Sequence, residues 1–254
     1  MSTPATVTWV GHASALIEVD HVRFLTDPLL TKRVAHLRRR VALPPPEIAD
    51  ADAILISHVH LDHLHLPSLK TIPRSTTIVV PRGAGALLRR AGFVDVVELV
   101  VGAHTAIDGV LVTAVPAEHH HGRGPHSRVR AEPLGYVIGG ATTRIYFPGD
   151  TDLTDAMTGL GSIDAALLPI WGWGPTLGPG HLDPTGAAAA TATIDPRLVI
   201  PIHWGTYAPE NVRRVPGDWF DRPLTDFENA LDEHDRRDRL YALAPGERVT
   251  VLPT

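Results

Sequence analysis

The feature that most constrains this chain is a set of short apolar runs that each end on a histidine or an aspartate. These runs are 53–57 before the sequence HVHLDH, 110–115 before His119, 144–147 before Asp150, and 198–202 before His203. Runs of this length, rich in Val, Ile and Leu and bounded by Pro, Gly or Asp, predict buried β-strands. Rigid strands that present polar side chains from loops at a common edge are a usual way to build a site. We therefore expect these distant residues to meet in the fold.

Eight further apolar runs predict strands, and three segments predict helices. The strands are 6–10, 15–19, 22–26, 77–80, 94–100, 134–138, 165–169 and 248–252. The helices are 83–91 before Gly92, 185–192 after Asp183 and Pro184, and a segment from a capping box at 225–228 to about Arg237. Strands and helices without a regular βαβ rhythm indicate packed sheets with helices outside, a mixed α/β (α+β) class. No linker divides the chain, so 1–254 is predicted to be a single domain.

Composition narrows the chemistry and the partners. The chain has no cysteine, which excludes disulfides, thiolate zinc sites and cysteine nucleophiles. A formal net charge of −5 argues against a duplex nucleic-acid binder, so we expect no nucleic-acid partner. The segment MSTPATVTWVGHA lacks the features of a signal peptide, and no apolar run reaches the ~18 residues that span a bilayer. We therefore expect a cytoplasmic protein without a membrane span, and the oligomeric state is left open.

The sequence HVHLDH at 58–63 carries the strongest chemical signal. Four potential ligands in six residues are too dense for a core strand, where each would need a buried partner. On a bent loop, His58 and His60 can face one cation while Asp62 and His63 face a second. A solvated histidine-rich loop is the alternative, and the apolar run AILIS that ends directly on the cluster argues against it. Without sulfur ligands, the cluster predicts two divalent metal ions, Zn²⁺ first, with Mn²⁺ or Fe as alternatives.

These motifs resemble the metallo-β-lactamase superfamily. The HVHLDH sequence resembles its signature, and His119, Asp150 within FPGDTD and His203 within PIHWGTY follow in the superfamily's order, from about Trp9 to about Tyr207. The resemblance implies a four-layer αββα sandwich with a dinuclear site at one edge. It implies that His58, His60 and His119 hold one metal, that Asp62, His63 and His203 hold the second, and that Asp150 bridges them. His119 is preferred to His120 and His121 because it keeps the PA-x-H spacing.

Several segments resemble one branch of that superfamily. TWVGHASALIEV, FLTDP, VPAEH, FPGDTD, HLDPTGA and IHWGTY are similar to N-acyl-phosphatidylethanolamine-hydrolysing phospholipase D and to bacterial relatives that include L-ascorbate-6-phosphate lactonase. This resemblance implies a phosphodiesterase for a small molecule, in which a metal-bridging hydroxide attacks and Asp62 orients it. His181 in GHLDP would bind a phosphoryl oxygen or protonate the leaving group. A lactonase acting on a phosphorylated sugar lactone is the alternative, and loops 116–132 and 171–180 hold no pattern that chooses between them.

Other readings of the same residues stay open or are disfavoured. His12 and Asp27 are either partners that fix ligand imidazoles or ordinary turn residues. The Arg38–Arg40 run is predicted to be a solvated face, and His65 to be a surface residue. A tRNA-processing nuclease would need a basic arm, a flavodiiron oxidoreductase a flavin domain, and a β-lactamase an export signal. A metal-binding scaffold without catalysis remains the non-enzyme alternative. Peripheral contact with a membrane is left open, although no amphipathic anchor is visible.

Overall fold

The computed structural model describes residues 4–124, 126–172, 177–210 and 218–253. The strands within these residues are β1 (Ala5–Gly11), β2 (Ser14–Val19), β3 (Val22–Thr26), β4 (Arg33–Val34), β5 (Leu37–Arg39), β6 (Ala53–Leu55), β7 (Thr77–Pro81), β8 (Val96–Leu99), β9 (His104–Ile107), β10 (Val110–Pro116), β11 (Leu134–Gly139), β12 (Arg144–Phe147), β13 (Ala165–Pro169), β14 (Leu198–Ile202), β15 (Tyr207–Pro209) and β16 (Arg248–Val251). The α-helices are α1 (Leu66–Leu69), α2 (Gly85–Arg90), α3 (Pro184–Ile194) and α4 (Arg222–Glu233). Short 3-10 helices cover Pro46–Ala49, Asp155–Gly159 and Arg237–Arg239.

Two large sheets form the middle of the molecule. One has the strand order β16-β1-β2-β3-β6-β7-β8, and the other has the order β14-β13-β12-β11-β10-β9. A small sheet of β15, β5 and β4 lies apart from both. Helices α3 and α4 pack on the second large sheet, and α1 and α2 pack beside the first. The order of layers is therefore helix, sheet, sheet, helix, which is the four-layer αββα sandwich of the metallo-β-lactamase fold.

Apolar side chains on both faces of the strands hold the layers together. In β6, Ala53 and Leu55 point into the core between the two sheets, whereas Ile54 points into the core beneath α2. Successive side chains of a strand point to opposite faces, so a strand covered on both faces reads as a continuous apolar run. This explains why the chain enters the site through the sequence AILIS. Among the described residues, none of the helices is long and apolar enough to cross a membrane.

The strand directions bring the loops that follow them to one edge. In the first sheet β3, β6 and β7 run parallel to one another, and in the second sheet β12, β13 and β14 do the same. The carboxyl ends of parallel strands meet at one edge of a sheet, where α/β proteins bind ligands. Strand β10 runs in the same direction as β12, because both pair antiparallel with β11. The loops after β3, β6, β10, β12, β13 and β14, together with the turn between β1 and β2, form this edge.

Every strand expected from the sequence is present, with ends that differ by at most two residues. The N-cap at Asp183 is also confirmed, since its carboxylate accepts a hydrogen bond from Gly186 N at 2.7 Å. The capping box at 225–228 is wrong. Helix α4 begins at Arg222 with Pro223 in its first turn, and the Thr225 hydroxyl donates back to Asp221 O. Proline suits the first turn because it lacks the N–H that would be unsatisfied there.

Two predictions of surface positions are also wrong. Arg39 is only 7% exposed, because alternation along β5 turns Leu37 and Arg39 inward and leaves Arg38 outside. Its guanidinium donates to three backbone carbonyls, those of Val10, Leu29 and Ala42. His65 is buried as the N-cap of α1, where its Nδ1 accepts from Ser68 N at 3.3 Å.

Candidate metal centre

Three imidazoles from two different sheets meet at the edge described above. His58 and His60 follow β6, and His119 follows β10. His58 Nε2 and His119 Nε2 lie 3.0 and 2.9 Å from His60 Nδ1. The rings of His58 and His119 are themselves 4.6 Å apart and nearly perpendicular. Nitrogen atoms on three separate side chains therefore converge on one point.

A second group of side chains lies directly beside the first. His63 Nε2 and His203 Nε2 are 3.2 Å apart, and each lies 3.2 Å from a carboxylate oxygen of Asp150. Asp62 Oδ2 completes the group, 3.8 Å from His63 Nε2 and 3.9 Å from His203 Nε2. Asp150 Oδ2 is also 3.9 Å from His119 Nε2, so this carboxylate lies between the two groups. All seven residues proposed from the sequence as metal ligands are thus gathered in one place.

Four of these five imidazoles are held from behind through Nδ1. The pairs are His58 Nδ1 with Ser57 Oγ at 2.9 Å, His63 Nδ1 with Asp27 Oδ2 at 2.7 Å, His119 Nδ1 with Gly180 O at 2.6 Å, and His203 Nδ1 with Trp171 O at 2.9 Å. A carbonyl or a carboxylate accepts, so Nδ1 must carry the proton. The Ser57 hydroxyl donates to Asp27 and therefore accepts from His58. When the ring is neutral, such a bond leaves Nε2 as a bare acceptor facing the centre, the usual arrangement of metal-binding histidines.

The pKa values favour the same protonation state. Burial lowers the pKa of His60 to about 4 and that of His203 to about 3. Burial also lowers the pKa of His58 well below its usual value, and that of His119 to a smaller degree. These four imidazoles are neutral at pH 7, and a neutral imidazole is the form that binds metal.

The carboxylates create a demand for positive charge at the centre. Burial disfavours the charged form of His63, but Asp150, Asp62 and Asp27 outweigh burial and raise the pKa of His63 well above its usual value. Burial likewise opposes ionisation of Asp150, yet His203 and His63 hold the pKa of that carboxyl well below its usual range. Asp150 Oδ1 is buried and accepts no hydrogen bond from the described residues. Divalent cations fit this donor set, because they would satisfy the bare nitrogens, the orphaned oxygen and the acidic charge together.

Unusual backbone conformations aim several of these side chains. His12, Asp27 and His203 have φ angles of 57°, 32° and 64°, a left-handed region that non-glycine residues seldom occupy. Gly149, with φ of 66°, precedes Asp150, and a Cβ at this position would overlap the Ser57 side chain. Only glycine permits this approach. Strained conformations of this kind collect at functional sites.

His12 and Asp27 lie behind the ligand groups rather than in ordinary turns. His12 Nε2 lies 3.0 Å from Asp62 Oδ2, and its ring lies 3.9 Å from that of His203. Asp27 is fully buried and accepts from Ser57 N at 2.7 Å as well as from His63. Ser57 carries no signal of this role in the sequence, because it reads as the last residue of an apolar strand. The groups that hold His119 and His203 are backbone carbonyls, so no residue type in the sequence could have indicated them.

A cavity of about 410 Å³ opens above the centre. Its described lining is Val34, Ala35, His36, Leu37, His60, Leu61, Asp62, Arg123, Asp150, Gly172, Leu177, Gly178, His181 and His203. His181 Nε2 lies 3.7 Å from Asp150 Oδ2, and the His181 side chain is 27% exposed. Arg123 belongs to no motif that would mark it as functional in the sequence. Residue 125 in loop 116–132 and residues 173–176 in loop 171–180 lie outside the described residues.

Comparison with known proteins gives the family. The profile of the beta-lactamase superfamily domain matches residues 22–204. A UPF0173 metal-dependent hydrolase of Methanopyrus kandleri is 30% identical, with 95% of this chain and 97% of that protein covered. The N-acyl-phosphatidylethanolamine-hydrolyzing phospholipase D 1 of Caenorhabditis elegans is 30% identical, with 79% and 64% covered. This chain spans 65% of the length of mycobacterial relatives that it matches at 32% identity.

Solved structures agree on the fold. A metallo hydrolase from the archaeon Ignicoccus hospitalis superposes with a TM-score of 0.73 at 22% identity, covering 99% of this chain and 100% of the other. The similarity extends over the strands and loops that carry the histidines and aspartates. By sequence profile, by relatives and by fold, this chain belongs to the beta-lactamase superfamily.

Proposed function

We propose that this chain is a metal-dependent hydrolase that binds two divalent cations and cleaves phosphodiesters. The observation that carries the proposal is the set of imidazoles whose outer Nδ1 atoms are occupied by fixed acceptors. The clearest case is His203 Nε2, which carries no proton and lies 3.2 Å from the orphaned Oδ1 of the Asp150 carboxylate. Two acceptors at this distance repel each other unless a cation lies between them.

The two groups divide the ligands. His58, His60 and His119 would hold one cation, Asp62, His63 and His203 would hold the other, and Asp150 would bridge them. Nitrogen and carboxylate donors without sulfur suit Zn²⁺, and the same set accepts Mn²⁺ or Fe²⁺. A pair of bound cations would lower the pKa of a water molecule and would polarise a phosphoryl or carbonyl oxygen of the substrate.

The chain's own residues supply orientation and a proton. Asp62 is held by His12 and lines the cavity, where its carboxylate can accept a hydrogen bond from the attacking water. His181 lines the same cavity, close to Asp150 and partly exposed, so it can donate a proton to the departing alkoxide. The backbone carbonyls of Gly180 and Trp171 keep the ligand rings of His119 and His203 from rotating. Preorganised groups of this kind need no rearrangement during the reaction.

The choice of a phosphodiester rests on the similarity to the phospholipase D of Caenorhabditis elegans. A cavity of about 410 Å³ is in the range that binds small molecules, and it suits a headgroup or a short ester. A lactone could be attacked by the same nucleophile. The substrate assay must therefore compare both classes directly.

Metal reconstitution joined to a substrate panel tests the proposal. The protein is stripped with a chelator, loaded with Zn²⁺, Mn²⁺ or Fe²⁺, and assayed for metal content and for hydrolysis of bis(p-nitrophenyl) phosphate and of a lactone panel. We expect two cations per chain and turnover of the phosphodiester. Turnover of lactones alone would replace the substrate class, and two bound cations with no turnover would indicate a metal-binding scaffold.

The role of His181 has its own test. An alkyl leaving group needs a proton and p-nitrophenolate does not, so His181→Gln should slow alkyl phosphodiesters by roughly 10²-fold and aryl phosphodiesters far less. His36→Gln is the control, because His36 lines the same cavity. Equal slowing of the alkyl and aryl phosphodiesters would show that His181 is not the general acid.

A further inference from the structure

Arg123 stands out on the wall of the cavity above the candidate metal centre. It is the only lysine or arginine among the described residues that line this cavity. The Arg123 N–H donates to Val129 O at 3.1 Å, and Gly122 pairs with Arg130 in an antiparallel bridge. The base of the loop is therefore ordered by its own backbone hydrogen bonds, and it presents this guanidinium at a defined place.

The Arg123 side chain is clamped onto the loop that carries the candidate ligands. Its Nη1 donates to Val59 O at 2.8 Å and to Leu64 O at 2.9 Å, the carbonyls on either side of the His60–His63 segment. A guanidinium has five N–H donors, and Nη1 supplies two of them. Within the described residues, the three donors on Nε and Nη2 have no acceptor. The group is fixed on one side and free to bind on the other.

The charge of Arg123 is uncompensated within the described residues. They place no carboxylate within ion-pair distance of it, and burial lowers the pKa of Arg123 with no acidic group opposing the shift. A partly desolvated cation without a partner is unfavourable, and an anion arriving with a ligand would relieve that cost.

Arg39 shows what a purely structural arginine looks like in the same molecule. Its Nε, Nη1 and Nη2 each donate to a backbone carbonyl, so every arm of the fork is used. Arg123 uses one arm of three. A fork with two open arms matches the two oxygens of a carboxylate or a phosphate.

We propose that Arg123 is a specificity-determining residue that binds a second anionic group of the substrate, so that the preferred substrates carry a carboxylate or a phosphate beside the scissile ester. This rests on the proposed function for the position of the ester at the metal centre. The preference itself is a property of the cavity wall. It holds for phosphodiesters and lactones alike.

Binding of phosphonates tests the inference without turnover. The probes are phosphonoacetate, 3-phosphonopropionate and 4-phosphonobutyrate, each paired with its carboxylate methyl ester and titrated calorimetrically into the Zn²⁺-loaded protein. A hydrogen bond to a charged group is stronger than one to a neutral group, so at least one acid should bind roughly tenfold or more tightly than its ester. Arg123→Gln should reduce that ratio to near one while two cations remain bound.

Three variants and one assay separate the outcomes. Arg128→Gln removes a charge from the same loop at an exposed position outside the cavity lining and should keep the full preference. Arg123→Lys keeps the charge without the fork and should keep part of the preference, and it carries the comparison if Arg123→Gln does not fold. Equal or undetectable binding of acids and esters by the unmodified protein, or a preference that survives Arg123→Gln, overturns the inference. Failure to hydrolyse phosphodiesters with the preference intact would reject the proposed function alone.

Discussion

The floor and the wall of the cavity are built in different ways. The floor consists of the seven candidate ligands His58, His60, Asp62, His63, His119, Asp150 and His203. Five of these residues are less than 9% exposed, and four imidazoles are held by an outer acceptor. The wall consists of the turn between β4 and β5, Leu61, Arg123 and residues 177–181. Ala35 and His36 in that turn are exposed, and Leu61 is 46% exposed.

This difference follows from what supports each region. The floor lies at the ends of strands buried in sheets, where each side chain has one compatible position. The wall is carried by strands of two and three residues and by loops. Rigid elements fix catalytic geometry, whereas loops vary and carry selectivity. Substitutions in the floor should therefore change metal content and kcat, and substitutions in the wall, apart from the proposed proton donor His181, should change KM.

The largest expected effect comes from removing one floor ligand. His119→Ala should lower kcat/KM by roughly 10³-fold or more, because a lost cation forfeits several kcal/mol of charge stabilisation. The bound metal, measured by elemental analysis, should fall below two per chain. His120→Ala and His121→Ala are matched controls, since both side chains are exposed and lie next in sequence. Full activity in His119→Ala, or loss in either neighbour, would place the ligand elsewhere in the run.

A residue behind the floor should give the next largest effect. Asp27 accepts hydrogen bonds from Ser57 N, Ser57 Oγ and His63 Nδ1. In Asp27→Asn the amide N–H₂ must face either Ser57 N or the pair Ser57 Oγ and His63 Nδ1, so the hydrogen bonds that orient His63 are weakened or lost. We expect affinity for the cation held by His63 to fall by roughly 10–100-fold in a chelator competition titration.

Asp52→Asn is the control for this change. Asp52 is exposed, although it also accepts a backbone hydrogen bond, from Arg23 N. The metal affinity of the Asp52→Asn variant should equal that of the unmodified protein. If Asp27→Asn bound metal as tightly as Asp52→Asn, the hydrogen bonds of Asp27 would not contribute to metal affinity.

The floor could be foreseen from the sequence because strand and ligand signals coincide there. AILIS ends directly on HVHLDH, and one apolar run each precedes His119, Asp150 and His203. An apolar run predicts a buried strand wherever both faces are covered. The partners that orient the ligands were harder to foresee. For Asp27 the sequence left two roles open, a partner of a ligand imidazole or an ordinary turn residue. The carbonyls that hold His119 and His203 belong to the backbone, which any residue could supply.

The wall could not be foreseen for a physical reason. Strands β4 and β5 are too short to show an alternating pattern of apolar and polar residues. Arg39 lies within a run of three arginines, and such a run is typical of a solvent-exposed surface. Its burial depends on carbonyls distant in sequence, such as Val10 O at 2.6 Å. His65 was likewise predicted to be exposed, and contact with Ser68 across the first turn of α1 accounts for its burial. Carbonyls distant in sequence therefore decide the position of Arg39, and a local helix cap decides that of His65.

A third prediction concerns the support of the wall. Arg39→Met leaves buried carbonyls without donors, so the free energy of unfolding should fall by roughly 2–4 kcal/mol. Two cations should remain bound, because Arg39 contacts none of the candidate ligands among its hydrogen-bond partners. Arg38→Met, at the exposed neighbouring position, should change stability by less than about 0.5 kcal/mol. Chemical denaturation with parallel metal analysis would measure both, and equal stability of the two variants would contradict the inward placement of Arg39.

The smallest effect, and the sharpest test of the division between floor and wall, comes from Leu61. This side chain lies between two candidate ligands in sequence, yet it is 46% exposed and lines the cavity. Leu61→Ala should leave stability within about 0.5 kcal/mol and metal content unchanged. It removes apolar surface that a substrate would cover, so KM should rise roughly two- to fivefold with kcat preserved. Leu111→Ala, similarly exposed at 44% but outside the cavity lining, should alter neither constant. A fall in kcat or in bound metal for Leu61→Ala would show that the wall and the floor are coupled, so that a change in the wall disturbs the ligands.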